Sequence, residues 1–598
     1  MWPSKLIIAA GVLASCLPVG ASTHDDARSH IAHAFARRQS GAAKSYCKPS
    51  QTCWPSDAQW TAFNQTINGR LIKVIPWPEP CFSNPNGDRC QAIKASYNDA
   101  QTRSDQPGIT ENDNWSYCYS NEGDADDCSL QAAAPALGTT LPFRTCKLGR
   151  ISPYAVDVRG PSDIQATLSF AKKNNIKVVI KNTGHEYLGR ASAPDSLMIW
   201  THHLKSLSYT SNWSGTGKPA IVMGAGIQAD EAYKFADQKG VTITLGAYNS
   251  VGVAGGFAQA GGHGPMTPKY GLAVDNILQY TIVTADGQLR TANAKSNPDL
   301  YFALRGGGGG VWGVVTEVVY QVHPPTKAVS ATFNITFNGH LVPGDKDAAI
   351  ADFISTMAIY QPDWTKQGWA GYDYIYDTYI SFNHGAPTGD LAAANKTMEP
   401  FFDYVRKNKN WTVQSMQIKA FPSFESLRQE LIVPGAVNTP VAFSERLASH
   451  NAPTLSVQTL TGLLRPVPLQ IMSTSPLPAA FGGPSGADTG VNTAFRDSLW
   501  EVIVASGWTY GFTEELKQSF ADATTRAGDN LRQYGTGTYY SESDVQEKDW
   551  PTAFFGNNYN RLVSIKQKYD PDNVFIVWKG IGFQGQESQD SFRCYQKA

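Results

Sequence analysis

Apolar and polar positions follow two rhythms along this chain. Short apolar runs at Tyr154-Ala-Val-Asp-Val158 and Ile176-Lys-Val-Val-Ile180 predict strands. Between them Ile164, Leu168 and Ala171 recur at helical spacing. A helix is therefore predicted from a capping box of Ser162 with Gln165 to about Asn174-Asn175. Ala220-Ile-Val-Met223 predicts another strand, followed by Gly224-Ala225-Gly226-Ile227-Gln228-Ala229 and a helix to Lys239, with Val241-Thr-Ile-Thr-Leu245 as the next strand candidate. Tyr280-Thr-Ile-Val-Thr284 and Gln288-Leu-Arg-Thr291 flank Asp286-Gly287 and read as a hairpin. From about Pro324 to Gly535 strand-like and helix-like stretches alternate. There Tyr372, Tyr374 and Tyr376 alternate with Asp373 and Asp377, which puts three phenols on one face of a strand.

The chain's 598 residues are enough for two or more domains. Its 50 basic and 51 acidic residues nearly cancel, which argues against nucleic acid as a partner. Lys5, the apolar run Leu6 to Leu17 and the small residues ending at Ala21 read as a signal peptide over 1–21, too short to span a bilayer. Six Asn-x-Ser/Thr sequons, at Asn64, Asn114, Asn212, Asn334, Asn395 and Asn410, add N-glycans to the expectation of a secreted protein. Arg37-Arg38 reads equally well as a processing site or as an ordinary basic pair. Without Cys16 of the signal, eight cysteines remain, and none lies between Cys146 and Cys594. Residues 22–140 are thus expected to form a disulfide-rich, loop-rich layer, with Cys594 tying the C-terminal tail to it. No Cys-x2-Cys spacing occurs, so no metal is expected.

Three glycine-rich segments carry the chemistry. They are Asn182-Thr183-Gly184-His185-Glu186-Tyr187-Leu188-Gly189-Arg190, Val251 to Gly264, and Arg305 with Gly306 to Gly310. Glycine turns bring backbone N–H groups close to a phosphate, although single glycines also mark tight bends. Gly224 to Ala229 fits the dinucleotide pattern G-x-G-x-x-G/A after a strand, but the next strand candidate runs into Gly246-Ala247-Tyr248 where that unit needs an acidic residue. A nicotinamide-type fold is therefore set aside.

These segments resemble the berberine-bridge-enzyme-like branch of the vanillyl-alcohol-oxidase flavoproteins. So do Gly271 to Asn276, Asp299 to Gly307, Asn558-Tyr559-Asn560-Arg561-Leu562 and Lys568 to Phe575. The resemblance implies an α+β protein. A two-part FAD-binding domain of the vanillyl-alcohol-oxidase (PCMH) type would occupy 141–325 and 536–598, with an antiparallel-sheet substrate domain backed by helices at 326–535. It implies FAD bonded covalently to His185. The other cofactor-binding positions would be Asn182, Thr183, Gly184, Glu186, Gly189, Ser192, Tyr248, Val251, Gly252, Gly256, Gly261, His263, Asn558 and Tyr559. Many members add a second bond from a cysteine, and that position falls at Tyr248, so a single link is expected. By the same analogy Tyr372, Tyr374 and Tyr376 are the candidate bases, lowered in pKa by a cation or by one another. Asp373, Asp377 and Glu445 are alternatives, and His263 and His202 are expected near the ring.

The activity implied is that of a secreted oxidase, similar to the fungal isoamyl alcohol oxidases. It would pass hydride from an alcohol, phenol or secondary-metabolite hydroxyl to FAD, with O2 reoxidation giving H2O2. A dehydrogenase or oxidative cyclase reacting poorly with O2, or a flavin-retaining glycoprotein without turnover, are the alternatives. A monomer acting on a small molecule, with no membrane partner, is expected.

Overall fold

The rhythms become three sheets. A computed structural model describes residues 45–112, 128–130, 146–339, 341–431, 437, 441–450, 469–483, 486, 488–508 and 513–585. The first sheet runs, in spatial order, Leu71–Lys73, Tyr154–Asp157, Ser196–Trp200, Lys177–Lys181. The last three strands are parallel, and Leu71–Lys73 joins antiparallel. Helix Pro161–Lys173 connects Tyr154–Asp157 to Lys177–Lys181, as parallel strands require, and buries Ile164, Leu168 and Ala171 against Val156, Val178 and Ile199.

The expected capping box at its start does not form. Pro161 takes the first helical position after Gly160, where its missing N–H costs nothing, and the Gln165 side chain donates instead to the Gly287 carbonyl at 2.7 Å. The helix closes at Asn174, with Asn175 at φ 51°.

The second sheet is antiparallel, in the order Leu207–Thr210, Ala220–Gly224, Val314–Gln321, Ile277–Val283, Leu289–Asn293. The hairpin appears as expected, turning at Gly287 with φ 76°. The candidate strand Val241–Leu245 is a correction. Apart from one bridge between Thr242 and His323 it joins no ladder. Ile243 and Leu245 are buried in the core shared with helix Ala229–Gln238, whose Tyr233 hydroxyl donates to the Leu245 carbonyl at 2.7 Å.

The glycines of the dinucleotide-like pattern serve close packing. A Cβ on Gly224 would stand 2.2 Å from the Leu204 carbonyl oxygen, and one on Gly226 2.0 Å from that of His202. No phosphate cradle is made there, since backbone fills the space.

The third sheet is wholly antiparallel: Trp411–Phe421, Ala328–Phe337, Tyr379–Ala386, Ala370–Ile375, Leu469–Met472, Ser498–Gly507, Val441–Ser449. One face packs Phe333, Phe382, Ile471, Val502 and Val504 against Phe353, Met357 and Trp364 of helix Pro343–Lys366 and Met398, Phe401 and Phe402 of helix Leu391–Lys407. This is the helix-backed antiparallel sheet the resemblance implied. After it the chain returns to the first body: Tyr540, Phe555, Leu562 and Tyr569 share one core with Leu300, Phe302 and Trp312.

Disulfides join Cys47–Cys53, Cys81–Cys90 and Cys128–Cys146. The expectation for Cys594 lies outside the described residues, as does Cys118. The N-terminal layer is more than a wrapping, because it contributes strand Leu71–Lys73 to the first sheet. Among the described residues no helix is long and apolar enough to cross a membrane.

Gly226 provides a test of close packing against phosphate binding. Gly226→Ala should destabilise the protein by about 1–3 kcal/mol, since the carbonyl it would strike is backbone and cannot rotate away. Urea unfolding measures the loss, and an unchanged midpoint would refute it.

Candidate active site

Between the open face of the third sheet and the glycine segments lies a cavity of about 890 Å³. Strand alternation decides what enters it. Tyr372 and Tyr374 point in while Asp373 and Ile375 point to the opposite, buried side, and Ile503 and Ala505 point in while Val502 and Val504 face the helices. Tyr376, one residue past its strand, also lines the cavity and stacks on Tyr379 at 4.4 Å.

Opposite stands the loop that follows strand Lys177–Lys181. It delivers Asn182, Thr183, Gly184, His185 and Glu186 to the lining. Gly184 adopts φ 95°, and the amides of Thr183, Gly184 and His185 donate to no group among the described residues. Successive free amides around a left-handed glycine form an anion-binding nest. His185 Nε2 lies 2.6 Å from Ser250 Oγ, and its ring meets that of Tyr248 edge-on at 5.6 Å. Burial, with a smaller contribution from Arg103, lowers the His185 pKa to about 3, so the ring is neutral. Glu186 is held by Arg190 (Oε1 to Nε, 2.7 Å), whose guanidinium stacks on Tyr540 at 3.6 Å.

Tyr248, Val251, Gly252, Gly256 and His263 complete the expected set that reaches the lining. The arrangement fits FAD on two counts: the amide nest, and Gly256 in the lining, where a Cβ would meet nothing within 4 Å. A side chain there would enter space that a cofactor needs.

Five expected cofactor residues lie outside the lining. The carbonyls of Gly189 and Ser192 accept from Arg150 Nη2, and the Ser192 hydroxyl is buried away from the cavity. Gly261 packs toward Val491 and Tyr539. Asn558 donates to the carbonyls of Thr489 and Val491, and Tyr559 packs edge-on to Trp550. These residues support the walls rather than line them.

The expectation of acidified tyrosines is also corrected. Burial raises the pKa of Tyr372 well above the usual value, helped by Tyr233 and Glu501, and raises that of Tyr374 with Tyr376 and Asp373 adding to it. Among the described residues of the lining no free guanidinium offsets this, because Arg190 is committed to Glu186 and Arg428 to Glu425 and Asp230. Asp373 bonds to buried His384 at 3.0 Å behind the sheet, and Asp377 is exposed. His202 is not in the lining; burial lowers its pKa to about 3.

A cluster that sequence reasoning only half found closes one end. His263 Nε2 lies 3.4 Å from Glu542 Oε1, and His263 Nδ1 lies 2.9 Å from Thr474 Oγ1 and 3.4 Å from Glu501 Oε1. Burial alone would lower the His263 pKa, but Glu501 and Glu542 outweigh it and raise it to about 9. Burial raises Glu501 to about 7, with His263 opposing and Glu542 assisting. Glu445, behind the cluster, is raised to about 8 by burial and by Glu501, while the Tyr539 amide donates to it at 2.6 Å. Glu501 and Glu542 carry no local motif. The one available signal was that Glu542 directly follows Tyr539-Tyr540-Ser541 in the returning C-terminal segment.

Comparison with known proteins agrees with this geometry. Residues 153–293 match the FAD binding domain family, and residues 538–582 match the berberine and berberine-like family. An uncharacterized FAD-linked oxidoreductase of Arthroderma benhamiae is 31% identical over 581 residues, covering 92% of this chain and 95% of the relative. VAO-type flavoprotein oxidase VAO615 of Thermothelomyces thermophilus is 30% identical over 89% of this chain and 92% of its own length. The crystal structure of VAO-type flavoprotein MtVAO615 from Myceliophthora thermophila C1 superposes with a TM-score of 0.78 at 28% identity, covering 90% of this chain and 97% of that one. The chain belongs to the vanillyl-alcohol-oxidase/berberine-bridge-enzyme-like family and is an FAD-dependent oxidoreductase.

Proposed function

We propose that this oxidoreductase is a secreted oxidase that acts on the hydroxyl of an alcohol, phenol or secondary metabolite, with His185 as the single covalent attachment point for FAD. The observation that carries the reading is the convergence of the amide nest, neutral His185, three tyrosines and Glu542 on one cavity. Bound there, FAD supplies the hydride acceptor and, through O2, the route to H2O2.

The protein's own groups divide the remaining work. A neutral imidazole has a lone pair for bonding, and Ser250 fixes the ring's orientation. Tyr248 stands beside it where the resemblance puts a second linking cysteine, so no second bond is available. Tyr372 and Tyr374 are protonated at neutral pH and serve as donors that orient a substrate oxygen. A base must instead be able to accept a proton. Among the described residues the carboxylates of the lining are Glu186, committed to Arg190, and Glu542. Glu542 takes the substrate hydroxyl proton, and the His263 imidazolium, 3.4 Å away through Nε2, is the cationic donor that holds Glu542 in place.

A peroxide-coupled screen of alcohols, phenols and sugars tests the activity. Flavin reduction without peroxide would favour the dehydrogenase or cyclase, and no reduction by any of them would favour a retained, idle flavin. Acid-precipitated protein should keep its flavin, with the added mass on His185 alone. His185→Ala should still bind FAD but oxidise substrate about ten- to a hundredfold more slowly, a barrier change of about 1.4–2.8 kcal/mol. Release of FAD by acid from the wild type would remove the covalent assignment.

Glu542→Gln should lower kcat/KM by about 10²–10⁴-fold without loss of flavin. Wild-type kcat/KM should fall as pH rises through about 9, where His263 loses its proton, and His263→Gln should lack that limb. A high-pH limb unchanged in His263→Gln would dismiss the role given to His263.

Stability should also fall with pH. Glu445 titrates at about 8 when folded against about 4.3 when unfolded. Between these values the folded state holds the extra proton, so its advantage declines as pH rises. Thermal unfolding should give a lower Tm at pH 8.5 than at pH 6, and Glu445→Gln should narrow that gap. A gap unaltered by the substitution would rule Glu445 out as its source.

A further inference from the structure

Behind the His185 loop, away from the cavity, three side chains from separate parts of the fold meet. His202 and His203 follow strand Ser196–Trp200 after Thr201, and Asp105 caps the helix Ala100–Ser104 of the N-terminal layer. One ligand atom from each lies within 4.8 Å of the others. His203 Nε2 is 2.9 Å from Asp105 Oδ1, and His202 Nε2 is 3.7 Å from the same oxygen. Two donors bound at about 2.0–2.1 Å to one ion stand about 3.0–3.4 Å apart, and the observed separations bracket that span.

Two further observations point to a cation. The first is His203 Nδ1, 2.7 Å from Asp157 Oδ1. A carboxylate in that position accepts from Nδ1, and Nε2 on the far side of the ring is aimed at Asp105 Oδ1, where either a second proton or a cation joins the two. A carboxylate that holds the far nitrogen is the usual support behind a metal-bound histidine. Arg159 bonds the other oxygen of Asp157 at 2.6 Å and fixes it in that role. The second is His202, only 4% exposed. Its Nδ1 is buried without a partner, and its Nε2 faces Asp105 from beyond hydrogen-bond range. A buried imidazole that forms no hydrogen bond at either nitrogen is costly unless something else engages it.

We propose that Asp105, His202 and His203 form a site for a divalent transition cation of the zinc class. Two imidazoles and one carboxylate suit such an ion, and the half-exposed Asp105 leaves a position for water. The earlier expectation against a metal rested on cysteine spacing, and this set contains no cysteine. The ion would act as a clamp. Trp200, stacked within 9° of the His202 ring, donates from Nε1 to the Asn182 carbonyl at 3.2 Å, and the Thr201 amide donates to the Lys181 carbonyl at 2.9 Å. Occupancy would therefore tie the N-terminal layer to the root of the His185 loop.

Full-length, flavin-loaded protein stripped with EDTA and dialysed should be titrated calorimetrically with ZnCl2. One equivalent should bind, and Tm should rise with zinc concentration. Asp105→Asn, at an exposed position that tolerates the change, should weaken binding at least about tenfold, and Asp157→Asn by about 10–100-fold. His263→Gln should leave the affinity unchanged. The proposal fails if the wild type binds no zinc, in which case a second proton on His203 bridges the carboxylates. It fails equally if Asp105→Asn binds as the wild type does, or if His263→Gln abolishes binding and so places the ion in the cavity.

Discussion

Lys181 ends the strand that delivers the His185 loop, and its side chain is fully buried. Its ammonium donates to the carbonyls of Gln106 at 2.6 Å and Ile109 at 2.5 Å, and burial lowers its pKa against the pull of Glu111. The Glu111 amide in turn donates to the Gly184 carbonyl at 3.2 Å. A charge left unpaired in such a place costs about 3–5 kcal/mol, so layer and loop have to take their positions together. The amide nest and His185 inherit that position. The disulfides act at one remove, by holding the segments that present these carbonyls.

A second constraint acts across the cavity. A half-buried sheet must point alternate residues to opposite sides, so the helices that cover one face of the third sheet commit the other to the cofactor side. This is why three tyrosines gather there, and why the pKa values of Tyr372 and Tyr374 are raised rather than lowered. They enter a largely apolar space with no uncommitted guanidinium, and desolvation prevails. On the proposed reading, proton acceptance passes to the end of the cavity where His263 lies 3.4 Å from both Glu501 and Glu542. The proposed choice of base thus rests on one separation, between an apolar wall that would orient substrate and an ionic end that would move its proton.

Much was legible in the sequence because the signal was local. Tyr154–Asp157, the helix after it, Lys177–Lys181 and the Asp286-Gly287 hairpin follow from apolar spacing and turn chemistry, which act over a few residues. The clustering of cysteines ahead of Cys146 located the bridged layer, and the glycine segments with His185 pointed to the cofactor wall. Val241–Leu245 was misread because a short apolar run suits a strand and a buried irregular segment equally, and only a free ladder edge decides between them. The box at Ser162 was misread because Pro161 had already claimed the first turn.

The sequence by itself determined the family, the cofactor class, the glycine loop with its histidine and the face on which the tyrosines would stand. Each of these is a property of neighbours in the chain. The tertiary structure alone decided that Gly189, Ser192, Gly261, Asn558 and Tyr559 stand behind the walls, that the pKa values of Tyr372 and Tyr374 rise, and that Glu542 meets His263 across 279 positions. It likewise brought Asp105 to His203 across 98 positions. Burial and the approach of distant charges are set by how the sheets pack on one another, and no local pattern encodes that distance.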